Sequence, residues 1–253
     1  MYNPFPFDDP KPVNRPALSK ETIDSIVAGG TPNVAKKFVA QIADRVRTEG
    51  VIVGIDGYTT ANWNLFVNLL ARECVINGFE FETVDANKAT LKSGKEIDDM
   101  IDPLLIWDTK IDPTLLYGKL YHGGYIGLFD QEKMEQFRKD VPAMKTPGRL
   151  VVVAGYGSMI AELRDLYDVK CWFDITPMKA MLRIRGGEYA NLGKERPGII
   201  NRTIRRCYYC DFECAVQLRK DLWKNNVPDY FFLDNDPKKL QMMPFEAFSE
   251  ICA

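Results

Sequence analysis

Apolar side chains recur every fourth residue between positions 33 and 47. Val34, Phe38, Ile42 and Val46 share one side of a helix, and Gly50 ends it. At 51–55 the pattern changes to VIVGI, a short unbroken apolar run of the kind that forms a strand buried on both faces. Helical spacing returns at 63–74 through Leu65, Leu69 and Leu70, and Asn77-Gly78 turns the chain. Further strands are expected at 79–84 (ending at Asp85), at 149–154 (broken by Gly155-Tyr156-Gly157), at 169–175, and, as the last, at 230–233. Helices are expected from Ser19, at 95–105, from Asp130 through 138, at 159–166, at 177–185 behind Pro177, at 202–223 and near 245–251. The stretch 120–129 mixes glycine with aromatics and reads as an irregular loop or short strand.

Strands that alternate with helices imply an α/β fold, a mostly parallel sheet with helices on both faces. Ligands of such sheets gather beyond the carboxyl ends of the strands. Here those ends carry Asp56-Gly57, Asp85, Gly155-Tyr156-Gly157 and Asp174.

Composition narrows the picture. The 253 residues, 46% hydrophobic, are enough to bury a sizeable core, and two units are expected. Residues 1–50 form a proline-rich arm and helices packed on the core, with Tyr2, Phe5 and Phe7 anchoring the arm; residues 51–253 form the main domain. A formal net charge of -2 gives no global attraction to nucleic acid or anionic lipid, so any anion site is local. The first sixteen residues lack a basic stretch followed by an apolar one, and no run approaches the roughly 20 apolar residues that cross a bilayer. Six irregularly spaced cysteines fit reduced thiols in a cytoplasm. A single histidine, His122, is too few for a typical zinc enzyme, and no metal site is assigned.

The stretch VIVGIDGYTTANWNLFVNLLAREC has the outline of a phosphate-binding loop: strand, glycine turn, amphipathic helix. A working loop ends in lysine and a hydroxyl, which neutralise phosphate and hold magnesium. With Gly57 as the first glycine, Asn62 falls on the second, Trp63 on the lysine and Asn64 on the hydroxyl. The amides of the turn and helix start still favour an anion. Gly57, Thr59, Thr60, Asn62 and Asn64 are therefore candidate ligand-binding residues. The plainer alternative is an ordinary tight βα turn.

The segment LRDLYDVKCWFDITPMKAMLRIRGGE resembles the region of uridine kinase-like P-loop kinases where a strand ending in Asp leads into an arginine-bearing helix. The resemblance implies a P-loop nucleoside kinase-like three-layer sandwich. It makes Arg183 and Arg185 candidate lid residues over phosphate, and Asp85 a candidate base. The strand at 150–154 resembles the Walker B strand, yet the position of the carboxylate is Ala154, with Asp56 as a substitute. The turn from Gly57 to Trp63, VVVAGYGSMI and YYCDFECAVQLRKDLW are similar to the kinase-like module associated with bacterial class I mannose-6-phosphate isomerases. The isomerase chemistry itself needs several histidines and does not carry over to this chain.

Other groups are weighed beside these. Cys207, Cys210 and Cys214 share a helix face and read as buried apolar residues more readily than as metal ligands. The basic run from Arg183 to Arg206 is either a solvated face or a phosphate site that includes Arg202. The expected function is a catalytically weakened kinase-like module that binds a nucleotide or sugar phosphate and works beside carbohydrate phosphate metabolism, with a sugar-phosphate isomerase as partner. The alternatives are an active phosphotransferase, which would need ATP and Mg²⁺, and a non-catalytic interaction scaffold.

Overall fold

Six strands form one sheet in the order β2-β3-β1-β4-β5-β6 in a computed structural model that describes residues 17–114 and 116–252. The proline-rich arm, with Tyr2, Phe5 and Phe7, lies outside the described residues. The strands are β1 (Val51–Gly57), β2 (Glu80–Asp85), β3 (Arg149–Ala154), β4 (Val169–Asp174), β5 (Tyr230–Leu233) and β6 (Gln241–Pro244). The first five run parallel, and β6 closes the edge antiparallel to β5. Every residue of the central β1 is buried.

The helices are α1 (Lys20–Ser25), α2 (Thr31–Glu49), α3 (Asn64–Asn77), α4 (Ala86–Thr90), α5 (Gly94–Ile101), α6 (Gly124–Leu128), α7 (Gln131–Ala143), α8 (Pro177–Arg185), α9 (Ile200–Arg206), α10 (Phe212–Lys224) and α11 (Phe245–Cys252). Strand side chains alternate between faces, and this alternation sorts them into two cores. Val51, Val53 and Ile55 pack with Phe38 of α2 and Phe66 of α3 on one face. Ile52, Val151, Val153 and Trp172 pack with α5, α7 and α10 on the other. The result is the expected α/β sandwich, a mostly parallel sheet with helices on both faces.

Local physics accounts for the differences from the sequence reading. The expected helix at 159–166 is a string of turns closed by a short 3-10 segment, because the buried Asp56 carboxylate draws the N–H groups of Gly157 and Met159 toward β1. The glycine-rich stretch at 120–129 contains α6 instead of a strand. Leu65 faces solvent, and the inward row of α3 is Phe66, Leu70 and Cys74. The long helix at 202–223 starts earlier and is interrupted by a π-helical turn, Cys207–Asp211. The strand at 230–233 is followed by β6, so it is not the last.

Candidate functional site

The turn after β1 is built from close contacts. A Cβ on Gly57 would stand 2.5 Å from the Phe173 carbonyl oxygen, so only glycine lets β1 and β4 stay paired there. Tyr58 N–H donates to Phe173 O at 2.9 Å, and Ala61 N–H to Tyr58 O at 2.8 Å. The Thr59 hydroxyl donates to Asp211 O at 3.1 Å, and Tyr156 Oη to Ala61 O at 2.9 Å. Thr60 takes a left-handed backbone, φ 74°, rare for a β-branched residue, and its buried hydroxyl has no partner among the described residues. Trp63 packs edge-on against Tyr156, centroids 5.0 Å apart, and so anchors the start of α3.

A buried ion pair occupies the middle of this arrangement. Asp234, just beyond β5, is wholly buried and accepts the Asn62 N–H at 2.6 Å. Arg183 of α8 grips the same group, with Nη1 2.7 Å from Oδ2 and Nη2 2.7 Å from the Asp234 carbonyl. Its Nη1 also donates to Thr60 O at 2.8 Å. Burial pushes the Asp234 carboxyl above its usual range, while the Arg183 fork and the Asn62 N–H pull it down. The amide of Asn62 thus meets a carboxylate supplied by the chain, already paired with a guanidinium.

A cleft of about 270 Å³ opens beside this pair. Thr60, Asn62, Asn64, Asp85 and Arg183 line it, together with Asn87 and Tyr156. Five of the sequence candidates therefore share one cleft. Asp85 caps α4 by accepting the Lys88 N–H at 3.0 Å and keeps half of its side chain exposed. Asn87 exchanges two hydrogen bonds with the Tyr156 backbone, at 2.9 Å and 2.7 Å, which fixes the floor. A larger cleft of about 670 Å³ shares Asp85, Asn87 and Tyr156 and adds Lys88, Lys92 and Lys133.

The other candidates stand elsewhere. Gly57 and Thr59 support the turn from behind. Asp56 is fully buried, and its oxygens accept N–H groups of Gly57 (2.7 Å), Gly157 (3.1 Å) and Met159 (2.9 Å). Burial pushes its carboxyl up to about 7 against these donors. It points into the protein and borders neither cleft, because that backbone cradle holds it. Arg185 is exposed and also borders neither cleft. Arg202 lies over Trp107, 5.3 Å from the ring centroid, in a separate depression. His122 is exposed, and Cys207, Cys210 and Cys214 are buried. Among the described residues no group of three metal-binding side chains is placed to hold an ion, and no helix is long and apolar enough to cross a membrane. The sequence reading missed Asp234 and Asn87, and it set Tyr156 at a strand's carboxyl end without naming it as a site residue. Asp234 follows YFFL at a strand's carboxyl end, so the rule that selected Asp85 also reaches it.

A glycine turn after the central strand of a mostly parallel sheet, with helices on both faces, defines the class: a three-layer α/β sandwich. By sequence, residues 35–253 match the family described as Domain of unknown function (DUF8485), and the chain belongs to that family. No curated protein matches it. In chain path it is similar to a candidate fructose transport system kinase from Silicibacter sp. TM1040, with 12% identity and TM-score 0.48 over 74% of this chain and 94% of that one. It is similar to a possible uridine kinase from Bacillus stearothermophilus, with 11% identity and TM-score 0.47 over 78% and 97%. It is also similar to the shikimate kinase of Bacteroides thetaiotaomicron, with 12% identity and TM-score 0.39 over 80% and 94%. Likenesses this distant say nothing of activity.

Proposed function

We propose that this chain is a kinase-like module with a degenerate phosphate loop, and that it binds a nucleotide or sugar phosphate without efficient phosphoryl transfer. One observation carries the reading: the Asn62 N–H, which a working loop would offer to phosphate, donates to Asp234, itself paired with Arg183. An amide bonded to an internal carboxylate is lost to an incoming anion unless that pair opens. The rest agrees. Trp63 and Asn64 replace the lysine and hydroxyl, Ala154 replaces a metal-binding carboxylate, and Asp56 is held by three backbone amides. ATP with magnesium does not fit this set of residues, and no transfer step is assigned to it. The open cleft beside Asp85, Asn87 and Tyr156 supports ligand binding. The link to carbohydrate phosphate metabolism and to a sugar-phosphate isomerase partner rests on the sequence resemblance alone.

Thermal denaturation with ATP, GTP and mannose 6-phosphate, each with and without Mg²⁺, tests this by ligand linkage. A rise in Tm that does not require Mg²⁺ is expected for at least one of them, with no labelled product formed from ATP and sugars or nucleosides. No rise with any of them overturns the binding role and leaves a scaffold. One feature favours the second reading, an active phosphotransferase: Asp85 keeps an exposed carboxylate at the rim of the cleft. Product formation from labelled ATP that Asp85→Asn abolishes would establish it.

A further inference from the structure

A third depression, of about 580 Å³, lies between α5, Trp107 and the segment 191–206. It meets the larger cleft only at Asn191 and Lys194. Four basic residues line it, Lys194, Arg196, Arg202 and Arg206, against two acidic ones, Asp98 and Asp102.

The charges divide unequally. Asp98 is held by two of the cations: Arg206 Nη1 donates to it at 2.5 Å, and Lys194 Nζ bonds its other oxygen. Arg206 is 5% exposed, and its Nη2 donates to the Leu192 carbonyl at 2.7 Å, while its buried Nε has no acceptor among the described residues. The Trp107 indole N–H is likewise buried and, among the described residues, unpartnered. Both donors are closed off from the surface, so the groups the depression offers to a ligand are the exposed ones. Arg196 and Arg202 are exposed, and neither has a hydrogen-bond or ion-pair partner among the described residues. Arg202 is steadied over the Trp107 ring, a contact that orients a guanidinium without using its N–H groups.

We propose that this depression binds a phosphate-bearing small molecule. Arg196 and Arg202 contact the phosphate, with the Arg202 guanidinium oriented by the Trp107 ring. Two planar forks with free donors match the oxygens of a phosphate, and the volume suits a small metabolite. The site stands apart from the β1 turn and holds whether or not that turn binds anything.

Titration of the full chain with inorganic phosphate, mannose 6-phosphate and AMP at constant ionic strength tests it, by calorimetry and by tryptophan fluorescence. Saturable binding of at least one probe is expected. Arg196→Ala and Arg202→Ala should each weaken it about tenfold, the loss of one charge-assisted contact. Trp107→Phe should remove most of the fluorescence change, and Arg138→Ala, an exposed charge-matched control on α7, should leave affinity unaltered. Tighter binding of an ester than of phosphate would identify an organic phosphate as the ligand, and equal binding would identify the free anion. No saturable signal from any probe, or equal weakening by Arg138→Ala, would overturn the proposal.

Discussion

Arg183 and Arg202 come from one basic stretch and resemble each other in sequence, yet they have opposite environments. Arg183 is buried, and its fork is filled by Asp234 and the Thr60 carbonyl. Arg202 is exposed over an indole and bonded to nothing among the described residues. The difference teaches that charge near a strand end marks two distinct things. One is an internal anion seat already filled, and the other is a cationic surface still open.

Breaking the buried pair should have the largest effect. Asp234→Ala strands a guanidinium in the interior and should cost about 3–5 kcal/mol, read as a lower urea midpoint. Arg202→Ala should fall within about 0.5 kcal/mol of the native chain. The double variant Arg183→Met, Asp234→Leu should recover most of the loss, because replacing both charges removes their desolvation together. Failure to recover would mean that Arg183 acts through Thr60 O more than through the carboxylate.

Asp56 sharpens the comparison through pH. Its folded carboxyl holds a proton up to about 7, against 3.8 for the ordinary group. Between those values the folded form binds more protons than the unfolded one, so stability falls as pH rises from about 4 to about 7 and levels off above. Urea midpoints at pH 5 and pH 7.5 should show this fall, on the order of a few kcal/mol at most, and Asp56→Asn should flatten it. Apart from the near-neutral Arg202→Ala, the smallest effect should be a gain. Thr60→Gly removes a β-branched residue from φ 74° and an orphaned hydroxyl, and should stabilise the chain by about 1 kcal/mol. A lower Tm would show that the hydroxyl has a partner in solution.

Much of the fold was legible because local signals were strong. Pro177 marked the start of α8, VIVGI marked the central strand, and Asp130 capped α7 through the Lys133 N–H. What failed depended on distant partners. The turns at 155–163 follow β1's aspartate, about a hundred residues earlier in the chain. The four residues of β6 have little pattern of their own and are held by β5 and a bridge from Met242 to Val27. At the site, sequence picked out Thr60, Asn62, Asn64, Asp85 and Arg183, which share a cleft, but not the ion pair of Arg183 with Asp234, 51 residues further on. Burial, not residue type, decides whether an arginine is offered to a ligand.

The π-helical turn at 207–211 sets a phase. Its widened ring, closed by the Phe212 N–H on Cys207 O, accommodates one residue more than a regular helix would. Each residue of an α-helix advances the side chains by about 100°. Excising a single residue there would straighten the rod and swing Arg202 and Arg206 a quarter turn or more relative to α10, out of line with Trp107 and Asp98. Chain length in this short stretch therefore works as an angular setting for the arginines that precede it.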